Sequence, residues 1–185
     1  QPKLVKLAVL LPLACAIGTG SLITKEKEVL LEDNTLEAVF SLPAEIFYPG
    51  SSVCACCMLF TLGQPHVKPD GTIRSTFFGY CKDDGFVKKK NLGRVEQFIK
   101  DDKGNYTVSR WREIENEWLR LFERKDAVDG KSALEEVNAD DEWLCEAYMK
   151  TDYTKLTSDD FQRTLNNYLS YLVKEGNVYE DNGGE

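Results

Sequence analysis

The chain has 185 residues and a mass of 21.0 kDa, which suits one domain with or without an appendage. With 42% hydrophobic and 29% charged residues it can bury a core and is not globally disordered. A net charge of −8 disfavours DNA binding through an overall positive field, and no apolar run approaches the roughly 20 residues that a membrane-spanning helix needs.

The first element lies in KLAVLLPLACAIG, residues 6–18. Basic residues ahead of an apolar stretch and then small residues have the form of a secretion signal, but the same pattern fits a fully buried parallel strand over residues 4–11. Gly18-Thr19-Gly20 follows, yet position 23 is Ile23 where a dinucleotide fingerprint needs a third glycine. Ser21 or Thr24 can cap a short helix over about 24–33, with Val29, Leu30 and Leu31 inward and Asn34 at its end. Residues 36–42 and 53–62 read as strands, separated by a Pro-rich loop over 43–50. Residues 63–73 form a polar loop and 75–80 another strand. Strand, helix, strand and strand is an α/β pattern.

The second half reads as helical. Trp111, Ile114, Trp118, Leu121 and Phe122 recur at helical spacing over about 108–125. Trp143, Leu144, Ala147 and Tyr148 mark a shorter helix. Thr157-Ser158-Asp159-Asp160 opens a last one, with the stripe Phe161, Leu165, Tyr168, Leu169 and Leu172 and a stop at Gly176. The resulting division is an α/β part over 1–100 with a basic loop, a helical region over 101–176 and a polar tail over 177–185. Charge divides differently. Residues 61–110 carry ten basic against six acidic side chains, and residues 111–185 carry nine against 19. The contrast is read as mutual attraction between the parts, or as a basic patch for a polyanion beside an acidic surface for a basic partner.

Six cysteines do not form paired CxxC knuckles, and His66 is the sole histidine, so the thiols read as reduced and structural in a cytoplasmic protein and no metal site is expected. One histidine, no GxSxG and no P-loop weigh against a hydrolase or nucleotide triphosphatase. The acid pairs Asp83/Asp84, Asp101/Asp102 and Asp140/Asp141 lie in polar turns and read as solvated. The unusual segment is Phe47-Tyr48-Pro49-Gly50, running straight into an apolar strand. Its two aromatics either plug the core or present a stacking surface for a planar ligand such as an extruded base. Lys88, Lys89 and Lys90, with Arg94 beyond, form a basic cluster among Phe77, Phe78, Tyr80 and Phe86, suited to phosphate contact or simply solvated.

Four segments together, LAVLLPLACAIG (7–18), AVFSLPAEIFYPGSSVCACCMLF (38–60), TFFGYCKDDGFVKKKNLGR (76–94) and ADDEWLCEAYMKTDY (139–153), resemble the C-terminal half of the modification (M) subunit of type I restriction-modification systems. The resemblance spans most of residues 4–173 and is weakest around 100–136. It implies a site-specific adenine-N6 DNA methyltransferase that uses S-adenosylmethionine, acts on DNA with a specificity subunit and a restriction subunit, and is cytoplasmic. The implied fold is a Rossmann-like, mostly parallel methyltransferase sheet with an antiparallel last strand. Residues 4–11, 36–42 and 53–62 would be its final three strands with one crossover helix, followed by a helical C-terminal region.

The family's glycine-rich cofactor loop and its Pro-Pro catalytic motif are expected before Gln1, since the chain has no Pro-Pro pair. The resemblance therefore implies a fragment without catalytic or cofactor-binding residues, inactive alone and binding no cofactor. One role transfers by motif position: Phe47, with Tyr48 beside it, would stack on the target base, and Lys88, Lys89, Lys90 and Arg94 would meet the DNA backbone. The C-terminal helices would dock the specificity subunit, and the sheet edge left open would promote self-association. The competing reading is a non-enzymatic module that binds a protein through its acidic part and nucleic acid through its basic loop.

Overall fold

A computed structural model describes residues 4–174, which divide after Thr151 into two compact units. The expected stop at Gly176 and the tail over 177–185 lie outside the described residues. Among those residues no helix is long and apolar enough to cross a membrane.

The first unit is a mixed α/β assembly built on a five-stranded sheet. Its strands are β1 (Val5–Pro12), β2 (Thr35–Ser41), β3 (Ala55–Leu62), β4 (Ser75–Tyr80) and β9 (Ser132–Glu136), in the order β1-β3-β2-β4-β9. β3 runs antiparallel to both β1 and β2, so those two point the same way, and β4 lies parallel to β2. β1, β2 and β4 therefore release their C-terminal ends at one edge of the sheet. β9 closes the far side antiparallel to β4.

Alternation along the strands divides the buried side chains between two faces. On one face Val39, Cys56, Met58 and Phe78 meet Ala16, Leu31, Trp143 and Leu144 from α1 (Ala14–Ile17), α2 (Ser21–Asp33) and the segment before α4 (Cys145–Tyr148). On the other, Ala38 and Phe77 meet Leu121, flanked by Phe40, Trp118 and Phe122, from α3 (Arg110–Arg124). A register shift at Glu37 lets Leu36 and Val39 share a face, as a bulge does. Phe40 packs edge-on against Trp118 at 6.1 Å. Gly79 is required there, since an added Cβ would lie 2.6 Å from the Phe40 ring.

Several expectations change. Residues 4–11 do not form a fully buried parallel strand. β1 is an edge strand paired antiparallel with β3 and is largely exposed, because no described element covers its far edge. The α2 helix starts at Ser21, behind an extended Gly20 and without a side-chain cap; Leu31 is buried, whereas Val29 and Leu30 are exposed. The inward position one turn earlier belongs to Lys27, 2% exposed. Its ammonium donates to the carbonyls of Ala16 (3.0 Å), Gly18 (3.0 Å) and Asp141 (2.8 Å) and lies 4.8 Å above the Trp143 ring. Burial lowers its pKa, partly opposed by Glu142, Asp141 and Asp140.

The basic loop forms strands, and the stretch expected to be helical, 101–176, also contains two, β8 (Tyr106–Ser109) and β9. Hairpins β5 (Phe86–Lys89)–β6 (Gly93–Glu96) and β7 (Phe98–Lys100)–β8 precede α3, and β9 follows it. These strands are short and carry charges and glycines, so their pairing comes from the chain's return path and not from an apolar period. Trp143 and Leu144 sit ahead of α4 and not within it.

In the second unit a 3-10 turn (Tyr153–Lys155) leads to α5 (Ser158–Lys174). Thr157 and Asp160 cap it reciprocally: the Thr157 backbone N–H donates to Asp160 Oδ2 at 3.0 Å, and the Asp160 N–H donates to Thr157 Oγ1 at 3.3 Å. Phe161, Leu165, Tyr168 and Leu169 are exposed, and a groove of about 410 Å³ runs along Phe161, Leu165 and Tyr168.

All six cysteines are free thiols. Burial pushes Cys56 up to about 11 and Cys145 up to about 12, so both stay protonated and unreactive, while Cys15 and Cys54 are exposed.

Candidate functional site

In open α/β sheets ligands bind outside the carboxyl ends of the parallel strands. At that edge β2 feeds the loop 43–50 and β4 feeds Cys81-Lys82-Asp83-Asp84-Gly85. The aromatic segment and the acid-glycine segment, far apart in sequence, thus leave the sheet side by side.

The loop is a series of tight turns. Ile46 N–H donates to Pro43 O (3.1 Å), Tyr48 N–H to Glu45 O (3.0 Å) and Ser51 N–H to Phe47 O (3.1 Å), and the Tyr48–Pro49 bond is cis. Phe47 is 39% exposed, so its ring is not a core plug. Tyr48 is half-buried, its ring beneath the Lys88 ammonium at 4.2 Å.

The basic cluster forms the β5–β6 hairpin. Lys88 pairs with Arg94 across it, and Asn91 and Gly93 take left-handed conformations in the turn. Lys88 also reaches Glu45 at 3.2 Å. The Arg94 guanidinium is largely buried. It pairs with Asp84, donates to the Ile46 carbonyl at 3.3 Å and lies 5.3 Å from the Phe86 ring. Lys89 and Lys90 are exposed at the hairpin tip. The structure therefore brings Phe47, Tyr48, Lys88 and Arg94 to one place, with Lys89 and Lys90 projecting past it. A small polar recess of about 150 Å³ lies between Pro43, Glu45, Lys82, Asp84 and Arg94.

Phe77 and Phe78 do not belong with the basic cluster; both are fully buried, on opposite faces of the sheet. Tyr80 faces Lys82 at 5.6 Å, leaving Phe86 as the aromatic beside Arg94. Asp83 and Asp84 are not merely solvated. Each accepts a backbone N–H two residues on (Gly85 at 2.9 Å, Phe86 at 3.1 Å), and they pair with Arg110 and Arg94 respectively. Gly85 has φ of +74°, and a Cβ there would lie 2.7 Å from the Trp111 nitrogen, so glycine is needed where this turn meets α3. Asp101 accepts from the Lys103 and Asn105 N–H groups within its own turn, and Asp141 accepts from Asn138 N–H. His66 is buried with Nε2 3.1 Å from Val137 O, and burial lowers its pKa. It is a neutral core imidazole. Among the described residues no group of three histidine, cysteine or acidic side chains is placed to hold a metal ion.

The sequence singles out Phe47 and the lysines and reads Asp84 as solvated, whereas the structure makes Asp84 the anion that holds Arg94. A signal for it is the place of the acid inside Lys82-Asp83-Asp84-Gly85-Phe86, directly ahead of the basic cluster.

No family model matches the chain, and no curated protein matches it. Solved structures do. The type I restriction-modification methyltransferase subunit from Streptococcus thermophilus superposes with a TM-score of 0.51 at 19% identity, over 78% of this chain and 26% of that one. A chain from a structure describing complex assembly and conformational transition of the type I restriction-modification system gives 0.50 at 16% identity, over 100% of this chain and 38% of that one. This chain is thus similar in fold to a type I methyltransferase subunit and to a chain of a type I restriction-modification system, and spans well under half the length of either.

Proposed function

We propose that these residues are the trailing part of a type I modification subunit, and that the whole protein transfers a methyl group from S-adenosylmethionine to adenine N6 in DNA. The observation that carries this reading is the position of the 43–50 loop. It presents a part-exposed Phe47 at the carboxyl ends of parallel strands, between β2 and an antiparallel β3, with basic side chains alongside. In this reading β1, β2 and β3 are the closing strands of a Rossmann-like methyltransferase sheet, and β3 has the reversed direction expected of the last one.

Phe47, flanked by Tyr48, stacks on the extruded adenine, and the exposed Lys89 and Lys90 meet the phosphate backbone. The residues in hand do not fit the cofactor. The apolar cavity of about 340 Å³ under α2 is lined by Leu11, Leu22, Ile23, Met58 and Trp143, and its lysine, Lys27, is spent on three backbone carbonyls. Glu26 and Cys15 are its other polar groups, too few for both a ribose and an amino acid group, and this reading assigns the cofactor and the catalytic groups to other parts of the whole protein. α3 spends its apolar stripe on the sheet, which leaves the exposed α5 stripe to dock the specificity subunit, with the restriction subunit joining the same assembly.

The test is Phe47→Ala in the complete enzyme. A base stacked on an aromatic contributes roughly 1–3 kcal/mol, so methylation should fall about 5- to 150-fold. The melting temperature should barely move, since Phe47 already meets solvent. A large drop in melting temperature with unchanged methylation per folded molecule would make Phe47 a packing residue and overturn the reading.

A further inference from the structure

The sequence offers Lys88 and Arg94 as phosphate ligands, but Arg94 is turned inward, and Lys88, although exposed, is engaged by the loop. Arg94 reaches the backbone of the aromatic loop at Ile46, the residue before Phe47, while its charge is matched by Asp84. Asp84 is itself fixed, because its other carboxylate oxygen accepts the Phe86 N–H at 3.1 Å. Lys88 takes the flanking residues, at 3.2 Å from Glu45 and 4.2 Å from the Tyr48 ring. The loop has no strand partners of its own, so these contacts from the hairpin supplement its three internal turn bonds.

From this geometry we infer that Arg94, held by Asp84, is a positioning residue that fixes the loop presenting Phe47, with Lys88 as its auxiliary. The inference rests on the proposed role of Phe47 and deepens it. A guanidinium suits the task because it offers several donors in a rigid fork and can serve a carboxylate and a carbonyl together. Phosphate contact then falls to Lys89 and Lys90. The basic cluster thus divides into two residues that contact the loop and two that contact nothing in it.

Hydrogen exchange on the full chain tests the brace. The Ile46, Tyr48 and Ser51 amides are hydrogen-bonded within the loop, so their exchange reports its opening. In Arg94→Gln they should exchange at least about tenfold faster, while the β2–β3 ladder amides keep their rates. Arg94→Lys should fall between, keeping the charge but not the fork. Because Arg94→Gln leaves Asp84 without its cation, the double variant Asp84→Asn/Arg94→Gln restores neutrality and should still show the fast loop. In the methyltransferase complex containing the chain, the double variant should lower kcat and leave KM for S-adenosylmethionine unchanged. Unchanged loop exchange in the double variant overturns the brace. Fast exchange with unchanged kcat overturns the positioning role while the methyltransferase reading stands. If no methylating complex contains the chain, that reading fails, and with it the positioning role, while the exchange result still judges the brace.

Discussion

Lys27 permits a quantitative test of how the α1–α2 corner is tied to the returning chain. In Lys27→Met the stem is replaced almost isosterically while the ammonium is lost. Three carbonyls lose a donor, but Ala16 O keeps the Trp143 N–H at 3.0 Å, so the acceptors left bare are those of Gly18 and Asp141. A buried acceptor without a partner costs about 1–3 kcal/mol. Against this, the variant no longer holds a desolvated charge, and the contact over Trp143 becomes an ordinary apolar one. The net expectation is a loss of about 2–4 kcal/mol, or roughly 4–16 °C in melting temperature for a domain of this size. Guanidinium unfolding followed by tryptophan fluorescence, with a parallel thermal melt by circular dichroism, measures both. A variant within about 0.5 kcal/mol of the parent would refute the reasoning, since it would mean that those carbonyls find water once the lysine is gone.

Two further outcomes follow from other parts of the molecule. Burial holds His66 neutral below its ordinary pKa, so its contribution is complete above about pH 6.5 and is lost as the pH falls, when the unfolded chain takes up a proton that the native state refuses. Urea unfolding between pH 7 and 5 should show stability falling by up to about 1.4 kcal/mol per pH unit and His66→Gln should flatten that slope; a flat parent profile would contradict it. Glu37 and Glu146, both held below the carboxylate range by Lys6 with Thr61 and by Ser41 with Lys82 despite their burial, lose their contributions only below about pH 4.5 and do not confuse the measurement. The double variant Phe161→Asp/Leu165→Asp on α5 should stay folded by circular dichroism but no longer co-purify with the specificity subunit; undiminished co-purification would place docking elsewhere.

Elements with strong periodicity were legible from sequence. β4 falls on residues 75–80 as read, and α3 on 110–124, because Phe77/Phe78 and the Trp111–Phe122 stripe carry unambiguous apolar spacing. β1 shows the opposite case. Its continuous apolar run describes a strand able to be covered on both sides, but sequence cannot say whether the covering elements are present. The Ser132–Glu136 strand has almost no apolar signal and is defined by pairing with β4, more than fifty residues earlier. At the candidate site the residue types were readable and their roles were not. Lys88 meets Tyr48, and Arg94 meets Ile46, across more than 35 residues of chain. The difference between a phosphate ligand and an internal strut lies in where the guanidinium points. Lys27 was invisible for a related reason, since a lysine on an amphipathic helix reads as solvent-facing until its acceptors arrive from another part of the chain.

The antiparallel neighbours β4 and β9 frame both hairpins and α3 as one excursion that leaves the sheet at Tyr80 and re-enters at Ser132, where the Tyr80 N–H meets the Lys131 carbonyl at 2.7 Å. Its two ends are joined like the feet of an arch. Because both feet stand at the same end of the antiparallel pair, a displacement of the crown moves β4 and β9 together and is carried into the parallel ladder that β4 shares with β2. Motion of the excursion is thereby coupled to the strand whose carboxyl end carries the 43–50 loop.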